Sequence, residues 1–215
     1  EQAKIWLNTQ SWAVISGMGD KDKQLMAMDS VKKYLDTEMG IKKIHPAMQD
    51  YPSKEDPLTY YNKGCGENGS VFCHANTWAV IAECMLKRRD YAWKYYRQLL
   101  PMVAQKNAGE KRYQAEPYVY ASNIFGPESN KFGLANVSWL TGTAAWMYLA
   151  ATQYLLGIRP VWDGLLIDPC LPADWPEITV DRMFRGCRYH IVIRNMEKTV
   201  FLPHVEGRKE YFAEI

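Results

Sequence analysis

The sequence predicts a mainly α-helical fold that gives way to a β-rich tail, on three observations. Apolar residues recur at helical spacing in several windows, a tryptophan-bearing segment repeats every sixty-odd residues, and after Gly157 prolines break the helical periodicity. The repeat reads Ser11-Trp12-Ala13-Val14-Ile15-Ser16-Gly17, then Thr77-Trp78-Ala79-Val80-Ile81-Ala82-Glu83. A third copy opens at Ser138-Trp139 and continues through Leu140-Thr141-Gly142-Thr143-Ala144-Ala145-Trp146. Each copy reads as a Ser/Thr-Trp at a helix start. A circular array of stacked helical hairpins, with long loops gathered at one mouth, accounts for such a period.

The partner helices follow in chain order. Asp20 to Asp36 has an acidic start and carries Leu25, Met28, Val31 and Leu35 at helical spacing. His74 to about Arg88 is strongly apolar, with Trp78, Ile81, Ala82 and Met85 on one face. Asp90 to Leu100 carries Tyr91, Trp93, Tyr95 and Leu99 and is stopped by Pro101. Ser138 to Leu156 is nearly apolar all round, and Gly157 ends it. Thr141, Thr143, Thr152 and Gln153 interrupt that run, which makes it a buried core helix and not a membrane span. Three long connections, 39–73, 101–115 and 116–137, separate the helices, and loops of such length are often functional. Beyond Gly157, Pro160, Pro169, Pro172 and Pro176 punctuate short segments. Arg188 to Asn195 reads as a strand and Thr199 to Leu202 as another, while Pro203 to Ile215 carries no clear signal. The expected domains are therefore a helical 1–157 and a β module over 158–215.

Composition sets the bounds. A chain of 215 residues makes one large domain or two small ones, and a formal net charge of +2 gives no electrostatic case for nucleic acid or an anionic membrane. Eight Trp and fourteen Tyr supply either a large core or stacking surfaces for a carbohydrate. Cys65, Cys73, Cys84, Cys170 and Cys187 are odd in number and form no CxxC pair, so neither a disulfide framework nor a zinc site is indicated. Reduced thiols in a cytoplasmic protein fit best. No signal peptide is visible, and the start in Lys4-Ile5-Trp6-Leu7 without an initiator Met suggests a piece of a longer protein.

The most suggestive stretch is Glu67-Asn68-Gly69-Ser70-Val71-Phe72-Cys73-His74, behind the loop Tyr60-Tyr61-Asn62-Lys63-Gly64-Cys65-Gly66. A carboxylate and an imidazole flank a Gly-bearing loop at a helix start, an arrangement that lines a pocket or simply caps a helix. His74 and Thr141 each fall near a helix N-terminus, where free N–H groups and the dipole favour an anion. Gly142 lets the backbone approach an oxygen closely. Plain alternatives stand beside each: close helix packing for Thr141-Gly142-Thr143, a turn cap for Glu67, core positions for Tyr61, Tyr118 and Tyr120, and loop roles for Asp163 and Asp168.

Taken in order, Lys4 to Trp12, Gly66 to His74, Glu116-Pro117-Tyr118-Val119-Tyr120, Ser138 to Ala144, Gly164 to Pro172 and Phe184-Arg185-Gly186 resemble the C-terminal part of the inverting disaccharide phosphorylases. This is the cellobiose, cellodextrin and chitobiose phosphorylase family, and the likeness runs to about residue 195. The resemblance implies the later helices of an (α/α)6 barrel followed by a partial C-terminal β-sandwich. It implies cleavage of a β-glycosidic bond by inorganic phosphate, giving an α-sugar 1-phosphate, with phosphate as co-substrate and no cofactor or metal. By resemblance His74, Thr141 and Gly142 bind phosphate, Glu67 and Tyr61 contact the acceptor sugar, and Ser122 varies with substrate. The general acid of the family is an Asp upstream of residue 1, so no catalytic residue is assigned within the chain and the chain alone is expected to be inactive. The expected partners are a β-glucan disaccharide or oligosaccharide and phosphate, with no nucleic acid or membrane and a homodimeric parent. A non-catalytic carbohydrate-binding domain and a hydrolase on the same barrel are the competing readings.

The chemistry agrees with those roles. Inverting hydrolysis needs an acid and, across the sugar ring, a base to activate water. Phosphate is already nucleophilic, so a phosphorylase needs only to bind and orient it.

Overall fold

The structure is a computed structural model that describes residues 3–48, 61–196 and 199–201. It divides after Cys170 into two compact units.

The first unit is built on helices entered from short strands. Strand β1 (Ile5–Trp6) opens directly into α1 (Leu7–Ile15), and α2 (Lys21–Tyr34) packs against it. Asp20 caps α2 by accepting the Lys23 amide at 2.9 Å, and Lys32 and Lys33 occupy its last turn, where the dipole favours cations. The apolar spacing read from the sequence does face the core, with Met28, Val31 and Leu35 fully buried. Then come β2 (Asp36–Thr37), β3 (Gly40–Ile41) and β4 (Ile44–His45), followed by β5 (Val71–Phe72), which runs into α3 (Cys73–Met85). Next is α4 (Arg89–Leu99), whose inner face carries Ala92, Tyr95 and Leu99.

Beyond α4 the structure departs from the expected loops. Pro101 not only ends α4 but opens α5 (Pro101–Ala108), since a proline at the first helical position lacks only an amide that would be unpaired there. With α6 (Glu110–Tyr113), the stretch 101–115 is largely helical. Residues 116–137 contain β6 (Ala121–Ile124) and most of β7 (Ala135–Ser138). Ser138, expected to open a helix, ends β7 instead. Helix α7 (Thr143–Leu149) starts after Gly142, and its last turns, Ala150–Leu155, widen into a π-helix.

Helix α3 is the centre of this unit, with α1 and α7 packed against it and α4 behind. Its Ala75, Ala79 and Ala82 are fully buried, and such small side chains let neighbouring helices approach closely. Met85, expected on the buried face, is instead exposed at the helix end. Helix α7 is not buried all round either. Thr143, Met147 and Ala150 are buried, but Tyr148 is 73% exposed, because nothing among the described residues covers that flank. A second cluster, including Val71, Cys73, Leu99, Tyr113, Ile124 and Met147, underlies the three-stranded sheet β5-β6-β7. No helix among the described residues is long and apolar enough to cross a membrane.

The repeated tryptophan therefore has a different register from the one expected. Trp12 and Trp78 lie a turn inside α1 and α3, and their counterpart in α7 is Trp146, not Trp139. The three indoles form a chain across the helices, with ring centroids 5.5 Å apart for Trp12–Trp78 and 5.9 Å for Trp78–Trp146.

The first unit closes with the hairpin of β8 (Ile158–Val161) and β9 (Gly164–Ile167). Asp163 lies in its turn, while Asp168 pairs with Lys87 and, at 3.0 Å, with Arg159, a structural role for that carboxylate. The second unit is an antiparallel sheet of β10 (Glu177–Phe184), β11 (Cys187–Met196) and β12 (Thr199–Phe201). The two strands expected there are β11 and β12; β10 joins β11 through a two-residue turn at Arg185-Gly186. Leu202 and the segment 203–215 lie outside the described residues.

Candidate functional site

The strand directions decide where the helices begin. β4 is antiparallel to β1, and Lys42 in the same segment bridges antiparallel to Val71 of β5. β6 is antiparallel to both β5 and β7. Strands β1, β5 and β7 therefore run in one sense, and each leads towards a helix. The N-termini of α1, α3 and α7 consequently share one end of the unit. The segment between β3 and β4 is fixed across this end. Leu7 donates its amide to the Lys43 carbonyl at 2.9 Å, and Lys43 donates its own to Ser70 at 2.8 Å. The buried Asn76 side chain bonds both backbone groups of Ile41, at 2.7 and 2.8 Å, as a strand partner would.

His74 stands in the first turn of α3 and meets the start of α7. A Cβ added to Gly142 would fall 2.8 Å from His74 Cε1 and 3.0 Å from Nδ1, so only glycine admits this contact without displacement. The imidazole rests against Trp78 and Trp146, with centroids 4.8 and 5.9 Å away. Its Nε2 is buried and meets no hydrogen-bond partner among the described residues. Burial, aided by the nearby Lys43 cation, holds the His74 pKa below the usual imidazole value, so the ring is neutral near pH 7 and one nitrogen can donate. Thr141 Oγ1 lies 2.6 Å from Thr143 Oγ1 and accepts the Thr143 amide at 3.2 Å. When the buried Thr143 hydroxyl donates to Thr141, the Thr141 proton remains free for another acceptor. His74, Gly142 and Thr141, 67 residues apart at their nearest in sequence, are thus brought together.

Glu67 also reaches this end. Its loop is closed by Gly64 donating to Asn68 O at 2.8 Å and by Asn68 donating to Cys65 O at 2.9 Å. The Asn68 side chain binds the Tyr61 carbonyl at 2.9 Å. Tyr61 lies on Gly66, where a Cβ would come within 2.6 Å of the ring, and is about half exposed instead of in the core. Of the other tyrosines, Tyr118 is exposed and Tyr120 packs against the second cluster. Ser122 lies in β6 beside Asn123, which pairs with Phe72, so it runs past the start of α3 at Cys73.

The Glu67 carboxylate pairs with Lys43, a residue that sequence reasoning missed. Lys43 is buried, and its ammonium sits 4.3 Å from the Phe72 ring centroid. The adjacent Lys42 is buried too, paired with Glu128 at 3.0 Å. In the sequence these lysines look like solvated positions in Ile41-Lys42-Lys43-Ile44, with no local mark of their burial. Also missed was the backbone between β7 and α7. Val137 and Trp139 adopt positive φ (53° and 73°), unusual for a β-branched and an aromatic residue, and such strain gathers at functional sites.

The arrangement presents a neutral imidazole, a hydroxyl and a close backbone approach where two helices begin, with a paired carboxylate beside them. It can bind an anion and hydrogen-bond a polyol.

Comparison with known proteins fits this chemistry. The profile of the Glycosyl hydrolase 94 superfamily, catalytic domain, matches residues 1–157. The chain is 34% identical, over 92% of its length, to solabiose phosphorylase of Paenibacillus borealis. It is 38% identical over 91% of its length to N,N'-diacetylchitobiose phosphorylase of Vibrio proteolyticus. A third relative is cyclic beta-(1,2)-glucan synthase NdvB of Rhizobium meliloti (strain 1021), 37% identical over 88% of the chain. The chain spans 26%, 24% and 7% of these proteins respectively, or about a quarter of the two phosphorylases.

Proposed function

Because the chain belongs to the Glycosyl hydrolase 94 superfamily through its catalytic domain, we propose that it is part of an enzyme that cleaves a disaccharide with inorganic phosphate. His74, Thr141 and Gly142 hold the phosphate, Glu67 and Tyr61 meet the acceptor sugar, and Ser122 lines the same end. The observation that carries this reading is the meeting of Gly142 with a neutral His74 whose Nε2 has no protein partner. A neutral donor set suits a nucleophile that must later leave as part of the product. Phosphate attacks the anomeric carbon with inversion, and the acceptor oxygen leaves with a proton from a general acid. Glu67 is bound to Lys43, so the reading takes that acid from outside the 215 residues, as the resemblance implies.

The finer parts of the proposal are a cellobiose- or cellodextrin-type β-1,4-glucoside as substrate, a cytoplasmic location, a homodimer, and a six-hairpin barrel. In that barrel α1, α3 and α7 are inner helices and α2 and α4 outer ones, followed by a β-sandwich piece. The similarity to NdvB supports a second reading, in which the same half-site serves glucan synthesis.

Phosphate dependence tests the phosphorolysis reading. Full-length protein is incubated with cellobiose, cello-oligosaccharides and N,N'-diacetylchitobiose, with and without inorganic phosphate. Release of a sugar 1-phosphate only with phosphate is expected. Equal cleavage without it makes the protein a hydrolase and removes the phosphate role of His74.

A further inference from the structure

Lys43 is buried at the middle of the segment that ties the start of α1 to the start of α3. Its carbonyl accepts from Leu7 and its amide donates to Ser70, so its backbone position is fixed from both sides. Lys42 reaches Glu128 and, at 2.9 Å, His45 Nδ1, whereas Lys43 reaches Glu67 and lies over Phe72, two residues before His74. Its charge also acts on His74 itself. A buried ammonium without a partner is costly, and so is a carboxylate stripped of its cation. Lys43 and Glu67 therefore fix each other, and they do so beside the anion position.

We propose that Lys43 is a positioning residue of this site: it orients the Glu67 carboxylate towards the acceptor sugar and supplies a fixed positive field to a phosphate held by the neutral His74. Both halves rest on the phosphorolysis reading; the pairing of Lys43 with Glu67 does not. The division of labour has a chemical reason. A cation in direct contact would hold phosphate too tightly, while one set back and already paired steadies the anion without trapping it.

The His74 titration is set first by burial and then by the charge of Lys43, which is itself paired with Glu67. NMR of the full-length protein, reading the His74 Cε1–H signal against pH, tests the coupling without any assay of catalysis. Lys43→Met is expected to raise the His74 midpoint, and Lys43→Arg to leave it near wild type. Glu67→Gln is expected to lower it, because Lys43 then acts unopposed. If Lys43→Met does not fold, as judged by near-ultraviolet circular dichroism, Glu67→Gln decides. A His74 midpoint unmoved in the folded variants overturns the proposal. In full-length protein, Lys43→Met should raise the KM for both phosphate and acceptor about tenfold, with Arg restoring most of it. A wild-type enzyme indifferent to phosphate defeats the phosphorolysis reading, while a phosphate-dependent enzyme indifferent to Lys43→Met defeats this one.

Discussion

Gly142 and His74 are in such close contact that a single added methyl would fall 2.8 Å from the imidazole. Gly142→Ala must therefore push the ring or the start of α7 aside, and overpacking of this kind costs about 1–3 kcal/mol. Phosphate KM should rise about tenfold or more, and the thermal midpoint should fall by a few degrees. A normal phosphate KM in Gly142→Ala would separate this contact from function.

His74→Ala removes the orphan nitrogen itself. Losing one hydrogen bond to a dianion costs about 1.5–3 kcal/mol, so the phosphate requirement should rise ten- to a hundredfold and turnover should fall. Phosphate titrations of initial rate in full-length protein measure both. Unchanged kinetics in a folded variant take His74 out of the site.

Glu67→Gln keeps the shape of the side chain but loses its charge. Acceptor use in the synthetic direction should weaken more than phosphate binding does, because a carboxylate accepts sugar hydroxyls more strongly than an amide. Equal losses for acceptor and phosphate point to a loop-holding role.

Glu83 makes a pH prediction away from the site. Its side chain is fully buried in α3, 2.9 Å from Arg88 Nε. Burial outweighs the pull of Arg88 and pushes the carboxyl from its ordinary 4.5 up to about 8. Between these values the fold keeps a proton that the unfolded chain has released. The contribution of Glu83 is thus fully present below about pH 4.5 and lost as pH rises through about 8. The slope is at most about 1.4 kcal/mol per pH unit. Thermal unfolding between about pH 4.5 and 8 should show the decline, and Glu83→Gln should flatten it. An equal decline in the variant assigns the effect to other groups.

Helix identity was legible where one face is buried and the other wet. Leu25, Met28, Val31 and Leu35 declared α2 because burial and sequence share one period there. The start of α7 was not legible. Ser138 to Leu156 carries apolar residues on every face and no charge, so periodicity could not mark its first turn, and the Ser138-Trp139 pair imitated the earlier repeats although Ser138 ends a strand. The candidate site was half legible. His74, Thr141 and Gly142 carry local marks of a helix start, and Glu67 sits in a recognisable turn. Lys43 carries none, since its role comes from pairings that depend on the whole strand arrangement, with Leu7, Ser70 and Glu67 all distant in sequence.

The line of indoles from Trp12 through Trp78 to Trp146 has an optical consequence. Aromatic chromophores at centroid separations of 5.5 and 5.9 Å and steep mutual angles couple their excited states. Light absorbed by any one is shared among them. The chirality of that coupling is set by how the three helices lie side by side, so these rings add to the near-ultraviolet dichroism a component that depends on their mutual placement. His74, tilted against two of the three rings, lies close enough for its protonation or a bound anion to alter that component. The packing that shapes the site thus gives it a built-in, label-free chromophore.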